Sequence, residues 1–520
     1  MSIKTLVTGF PRIGEQRELK KALESYWSGK ITPSQLQETA SKIRETNWIC
    51  QKNSGIDLVS VNDFSLYDNM LDTAVMLNAV PERFRHIENE LDRYFAMARG
   101  TNEIPALEMT KWFNTIYHYI VPELDGNMKF SLNSSKIISE YKEAKKLGIT
   151  PKINIIGPVT FLALSKNKEG RAYHAYFGEI LSVYKELLIE ISNLDDVVYV
   201  QFEEPFFVKD TTNTELTLLK TAYSLLSSVN DKIKIIVSSY FEHSAQAVPV
   251  LAQTKIWAIA LDFVYGKKNI ETLKNLNSKK LVAGIVDGRN IWINDIKGSV
   301  NLLNKIAEIV PQSDIIVSTS CSLLHVPYTI QNEPDGDINR WLSFAYEKVK
   351  ETALISKLFH KIPLSESEET FLKQNEDSIE EKKNSDKIND ISVCERLQNI
   401  KKFEREGSFE ERNPLQKNNL NLPLLPTPTI GSYPQTDDIR RIRRDYKKGT
   451  IGLEEYETGI KKYIDDCVSF QEETGLDVLV HGEPERNDMV EYFGEMLKGF
   501  HFTSNAWVQS YGSRCVKPPV

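Results

Sequence analysis

Gly55-Ile56-Asp57-Leu58-Val59-Ser60-Val61 ends a helical pattern with a glycine and opens a β-rich apolar run. Comparable runs recur at residues 153–156, 197–202, 233–238, 256–263, 281–286 and 315–318, and another stands at residues 3–8. They are apolar rather than alternating, which is the pattern of strands buried on both faces, as parallel sheets require. Helical patterns separate them. One covers residues 17–27. The next begins at Thr32-Pro33-Ser34-Gln35, where Thr32 can cap, Pro33 suits the first helical position and Gln35 completes a capping box. It runs to about Asn53, and Gly55 ends it. Eight or so strands separated by helices predict an α/β fold, a (β/α)8 TIM-type barrel, over residues 1–362. A doubly wound sheet is the alternative.

The chain has 520 residues, more than one ordinary domain holds. Its 41% hydrophobic and 26% charged residues exclude a general lack of order. No stretch reaches the length of apolar chain that a membrane span needs. The N-terminus lacks a signal-peptide apolar region and cleavage site, so a cytoplasmic location is expected. The formal net charge of −8 argues against a nucleic-acid partner. The cysteines (Cys50, Cys321, Cys394, Cys467, Cys515) are scattered and odd in number, which fits a reducing compartment better than a disulfide framework.

Between Ser365 and Leu420, 24 of 56 residues are charged. This marks residues 363–424 as an exposed, partly helical linker, ending in a proline-rich stretch at 422–428. Beyond it the opening pattern returns. Thr8-Gly9-Phe10-Pro11 resembles Ile430-Gly431-Ser432-Tyr433-Pro434. Gly55-Ile56-Asp57-Leu58-Val59 aligns with Gly475-Leu476-Asp477-Val478-Leu479 at an offset of 420. An internal duplication follows, with a strand expected at 476–480. The second copy holds only about 100 residues, so residues 425–520 read as the incomplete start of a second barrel.

Several segments carry candidate chemistry. Gly9-Phe10-Pro11-Arg12-Ile13-Gly14-Glu15 lacks the lysine of a phosphate-binding loop. Arg17-Glu18-Leu19-Lys20-Lys21 follows a strand-end loop, and its cations suit several carboxylates; a solvated helix face is the simpler reading. His481-Gly482-Glu483 follows the expected strand at 476–480, where barrel active-site groups project, and Glu483 suits an ammonium. Arg514 suits a carboxylate, and Cys515 is either a reactive thiol or a small buried residue. Arg440-Arg441-Ile442-Arg443-Arg444 reads as a charged helix face. None of the eight histidines stands in a metal-ligand spacing, and Cys321 with His325 supplies two donors at most.

Taken together, these residues resemble those of cobalamin-independent methionine synthase, the 5-methyltetrahydropteroyltriglutamate–homocysteine methyltransferase family. The resemblance is carried by residues 8–20, Met109-Thr110-Lys111-Trp112-Phe113, Tyr117-His118-Tyr119, Ile156-Gly157-Pro158-Val159-Thr160-Phe161 and Glu203-Glu204-Pro205. Residues 320–327, 429–436, 481–492 and 507–519 continue it in the same order. It implies two barrels joined by a linker, the first being non-catalytic. It implies 5-methyltetrahydropteroyltri-L-glutamate and L-homocysteine as ligands, L-methionine as product, a zinc cofactor, no cobalamin and a monomer. Arg17, Glu18, Leu19, Lys20, Lys111, Arg514 and Cys515 match its folate contacts. Ile430, Gly431, Ser432 and Glu483 match its homocysteine or methionine contacts. The family's zinc ligands and proton donor have no counterpart before Val520. On that ground a C-terminally truncated chain is expected, with no catalytic or metal residue of its own and no activity alone. The alternative is a folate-polyglutamate binding module, or a half-enzyme complemented by a separate chain.

Overall fold

The computed structural model describes residues 3–486 and 488–520; Asn487, within the 481–492 motif, lies outside the described residues. The chain divides into two compact units. One comprises Met1–Lys383 with Thr503–Lys517, the other Asn384–Phe502 with Pro518–Val520.

In the first unit the helices α1 (Glu18–Trp27) and α2 (Pro33–Asn53) precede strand β1 (Val59–Val61). The capping box at Thr32 and Gln35 is formed, with Pro33 in the first turn. A hairpin, β2 (Met109–Lys111) with β3 (His118–Ile120), stands outside the main sheet. Then come β4 (Pro151–Ile156), β5 (Val198–Glu203), β6 (Ile233–Ser239), β7 (Ala258–Asp262), β8 (Lys280–Val286) and β9 (Ile315–Thr319). The sheet order is β1-β4-β5-β6-β7-β8-β9, with every pair parallel. The expected N-terminal strand is present as isolated bridges only. Leu6 bridges Leu58 beside β1, and Thr5 bridges Val317 in β9, so the segment joins the two edges and the sheet curls onto itself.

Burial on both faces is observed, but the inner face is apolar at one level only. Leu6, Leu58, Ile236, Ala258, Ala260, Val282 and Ile316 form a cluster inside the ring. Other buried strand positions are polar. Lys152 donates to Asn154 Oδ1 and, at 2.8 Å, to Gln201 Oε1, and Tyr240 donates to Glu203 Oε2 at 2.7 Å. An apolar run thus hid alternate inward polar residues, because each finds a partner across the ring.

Two of the resemblance-carrying motifs prove to be one buried structural unit. The Glu204 carboxylate accepts the backbone N–H of Val159 (3.2 Å) and Thr160 (2.7 Å) and the Tyr223 hydroxyl (2.9 Å). It therefore caps the helix Pro158–Ala163. A Cβ on Gly157 would lie 2.2 Å from Glu204, so only glycine fits there. Burial pushes the Glu204 carboxyl up to about 7, against the pull of these donors. An acid raised in the folded state binds its proton more readily folded than unfolded. Stability from this group is therefore present below about pH 4.5 and is lost as pH rises to about 7, by up to about 3 kcal/mol. Urea denaturation at pH 5 and pH 8 is expected to show a smaller pH difference for Glu204→Gln than for the unsubstituted chain.

The first unit does not end at residue 362, nor is residue 363 onward wholly linker. Helix Glu366–Asn384 packs on the unit: Asn375 donates to Asn294 O at 2.9 Å, Lys297 pairs with Glu376 at 2.8 Å, and Lys382 sits 3.5 Å from the Trp292 ring centroid. Thr503–Lys517, expected within the second barrel, belongs to the first unit as strands β10 (Val508–Tyr511) and β11 (Arg514–Val516).

The second unit holds helices Ile391–Gln398, Phe409–Leu420, Asp437–Lys447, Leu453–Thr474 and Met489–Met496. The strand expected at 476–480 is not formed. Its backbone is satisfied by a side chain instead: Gln471 Oε1 accepts Val480 N–H (2.9 Å) and Gln471 Nε2 donates to Val480 O (2.7 Å). Those are groups a sheet neighbour would otherwise take. Ser432 and Gly482 bridge in parallel, with Asp477 tied to Thr427 at the other end. Among the described residues, no helix is long and apolar enough to cross a membrane.

Candidate functional site

The first unit gathers most of the expected folate contacts around the β10–β11 hairpin. Arg17 caps α1 with no side-chain cap bond and with φ of +60°. That left-handed conformation costs a non-glycine residue about 1–3 kcal/mol and concentrates at functional sites. The strain frees the guanidinium, whose Cζ lies 4.1 Å from the Trp507 ring centroid; Lys517 Nζ lies 5.4 Å from the same ring. Arg514 lies beside Tyr511, 5.8 Å from ring centroid to guanidinium. Lys111, exposed on β2, stands opposite His118, whose ring is 5.9 Å from that of Tyr511. Ser513 Oγ donates to Glu24 at 3.2 Å, which sets the hairpin turn against α1. Among the described residues Arg17, Lys111, Arg514 and Lys517 form no ion pair, in a chain of net charge −8.

Three expected contacts are placed differently. The Leu19 side chain is fully buried among Ala22, Leu23 and Leu36, and its N–H is taken by Ile13 O at 3.0 Å. Position 19 falls on the apolar stripe of an amphipathic helix, so its side chain is withdrawn from any ligand. The Glu18 carboxylate turns back to accept Gln16 N–H at 2.9 Å, where Gly14 leaves room for it. Lys20 pairs with Glu24 within the helix. Burial pushes the Cys515 thiol up to about 11, against the pull of Lys20 and Arg17, so it stays protonated at neutral pH and is not a reactive thiolate.

The amino-acid set lies in the second unit and is brought together. Ser432 bridges Gly482, and Tyr433 N–H donates to Gly482 O at 3.0 Å. A Cβ on Gly431 would stand 3.2 Å from Glu483 Oε1. Glu483 takes φ of +54° and pairs with Arg486. Ile430 is 75% exposed. The basic run 440–444 is a charged helix face: Arg441 pairs with Asp438 at 2.7 Å, and Arg443 donates to Pro484 O at 3.2 Å.

No group of three or more His, Cys, Asp or Glu among the described residues is placed to hold a metal. Cys467 is bonded by Gln471 Nε2 at 3.3 Å, and His481 pairs with Glu485 at 2.8 Å. Cys321 is fully buried, and burial with two neighbouring arginines lowers His325 to about 3. The described residues do not fit the zinc that the resemblance implies.

The sequence did not single out Arg12, Trp507 or Gln509. The available signal was Arg12 itself, a cation between two apolar residues, Pro11 and Ile13.

A curled parallel sheet flanked by helices, with exposed cations at one hairpin, defines an α/β protein of barrel type. Residues 4–311 match the N-terminal domain of cobalamin-independent synthase, and residues 425–520 match its catalytic domain. The chain is 56% identical over 519 residues to the 5-methyltetrahydropteroyltriglutamate–homocysteine methyltransferase of Desulforamulus reducens, covering 99% of this chain and 68% of that protein. Proteins of the same description from Cytophaga hutchinsonii and Catharanthus roseus are 43% and 44% identical, covering 98% and 99% of this chain and 69% and 68% of theirs. The chain belongs to the cobalamin-independent methionine synthase family, whose members are methyltransferases.

Proposed function

We propose that this chain binds 5-methyltetrahydropteroyltri-L-glutamate and L-homocysteine, the substrates named for its relatives, for methyl transfer giving L-methionine. The observation that carries the reading is the set of cations without an ion pair at the β10–β11 hairpin: Arg17 and Lys517 on the Trp507 ring, Arg514 on Tyr511, and Lys111 opposite His118, whose ring faces Tyr511. A triglutamate tail presents several carboxylates, and guanidinium and ammonium groups are their natural partners. Trp507, already stacked by Arg17, supplies a flat apolar surface beside them. In the second unit Glu483 is the group for the amino-acid ammonium, which would exchange with Arg486, while the Gly431 backbone leaves room for the ligand.

Equilibrium binding tests this reading. The triglutamate is expected to bind at least tenfold tighter than the monoglutamate, and its advantage is expected to shrink between 50 and 200 mM salt, because the cations are exposed. Equal affinities for the two ligands would refute it.

One observation favours a second reading, a binding module without chemistry of its own. A thiol near its ordinary pKa is a poor nucleophile until deprotonated, which a zinc ion does. The described residues bring no donor set together for one. The purified chain is therefore expected to contain well under one zinc per molecule by elemental analysis and to form no methionine from homocysteine. Stoichiometric zinc or methionine formation would favour the first reading alone.

A further inference from the structure

Arg12 is the largest charged side chain that is fully buried, with 1% of its surface exposed. Its Nε donates to Gln509 Oε1 at 2.8 Å, and its Nη2 donates to the Tyr117 hydroxyl. That hydroxyl donates in turn to Asp68 Oδ1 at 3.0 Å. Asp68 is anchored by the backbone N–H of Leu71 (2.9 Å) and Ile120 (3.1 Å), so it fixes both a helix start and the β2–β3 hairpin. On the other side, Gln509 is 2% exposed and its amide donates to Gly512 O at 2.6 Å, across the β10–β11 turn. Gly512 has φ of +47°, and a Cβ there would meet the Tyr67 ring at 2.5 Å, so the turn is pressed onto the barrel. One polar chain therefore runs from Asp68 through Tyr117, Arg12 and Gln509 to the residue two places before Arg514.

Burying a guanidinium costs several kcal/mol unless its donors are met, and an apolar contact would hold two surfaces together more cheaply. What the planar fork adds is direction. The hairpin lies in the stretch matched to the catalytic domain, residues 425–520, yet it is folded into the first unit. We propose that Arg12 is a positioning residue: through Gln509 it fastens the β10–β11 hairpin to the barrel and so sets Arg514 and Cys515 beside Arg17 for the folate tail. This rests on the tail-binding reading given above. Arg12 itself, sealed under the hairpin, touches no ligand.

The test uses the full chain with Gln509→Met, which removes both the acceptor for Arg12 and the donor to Gly512, and Gln509→Glu, which restores the acceptor alone. Two readouts are taken: affinity for the tri- and monoglutamate forms of 5-methyltetrahydrofolate, and the rate of trypsin cleavage after Arg514. Gln509→Met is expected to lose at least tenfold in triglutamate affinity, with the monoglutamate affinity unchanged within twofold. Cleavage after Arg514 is expected to quicken at least tenfold. Gln509→Glu is expected to recover part of the tail affinity, falling between Gln509→Met and the unsubstituted chain. Triglutamate affinity retained in Gln509→Met overturns the positioning role, whether or not the hairpin is released. An unsubstituted chain that does not distinguish the two ligands overturns the tail-binding reading, and the positioning role with it. Faster cleavage after Arg514 in Gln509→Met would then still show the fastening alone.

Discussion

Asp68→Ala is expected to lower the unfolding free energy of the first unit by about 3–5 kcal/mol. Asp68 is fully buried and is the carboxylate at the end of the Arg12–Tyr117 chain. Without it the buried Arg12 charge loses the nearer of its two carboxylates and keeps only Asp72, close to the penalty of a broken buried pair. The same substitution removes the acceptor for Leu71 N–H at the start of helix Asn69–Met76 and for Ile120 N–H in β3. Lost caps of this kind cost about 1 kcal/mol each. Urea denaturation followed by tryptophan fluorescence checks it, taking the transition of the first unit by itself because the chain holds two units. Asp68→Asn, which keeps acceptors for those N–H groups but no charge, is expected to fall between the two. A loss under 1 kcal/mol for Asp68→Ala would show that Arg12 is held by Gln509 and Tyr117 alone.

The second large effect concerns binding. Arg17→Ala combined with Lys111→Ala is expected to weaken the triglutamate by about 100-fold, each charged contact contributing about 1.5 kcal/mol. The monoglutamate affinity is expected to change little. Stability is expected to hold, since neither side chain forms an ion pair and alanine keeps the Cβ already present at the left-handed Arg17. Calorimetric titration of both ligands measures the difference. An equal loss for the two would place these cations at the pterin end rather than the tail.

Much of the first unit was legible because its strands are short, apolar and bounded by turn residues. The expected run at 315–318 is strand Ile315–Thr319, and 281–286 is Lys280–Val286. The inward polar layer was not legible. Asn154 and Gln201 lie inside runs read as apolar and Lys152 just before one, and their partners come within reach only when the ring forms. The 476–480 strand failed for a similar reason. Its apolar pattern is right, but the groups that decide its state belong to Gln471 on a neighbouring helix. At the site, residue types announced charge complementarity but not direction. Arg17 and Lys20 are three apart in sequence, yet one is held free by its backbone and the other is spent on Glu24. The resemblance likewise named Leu19 as a contact, whereas helix periodicity sends that side chain to the core. The β10–β11 hairpin lies against α1, roughly 490 residues earlier in the chain, through contacts such as Arg12–Gln509 and Ser513–Glu24 that no spacing rule marks.

The cations of the β10–β11 hairpin and its neighbours are expected to hold the polyglutamate tail. Amide hydrogen exchange of the full chain, with and without saturating 5-methyltetrahydropteroyltriglutamate, measures this directly. Added protection is expected in three segments together, residues 17–21, 109–120 and 507–517, and is expected to be weaker at those segments with the monoglutamate. Triglutamate binding that leaves all three segments unchanged would contradict it.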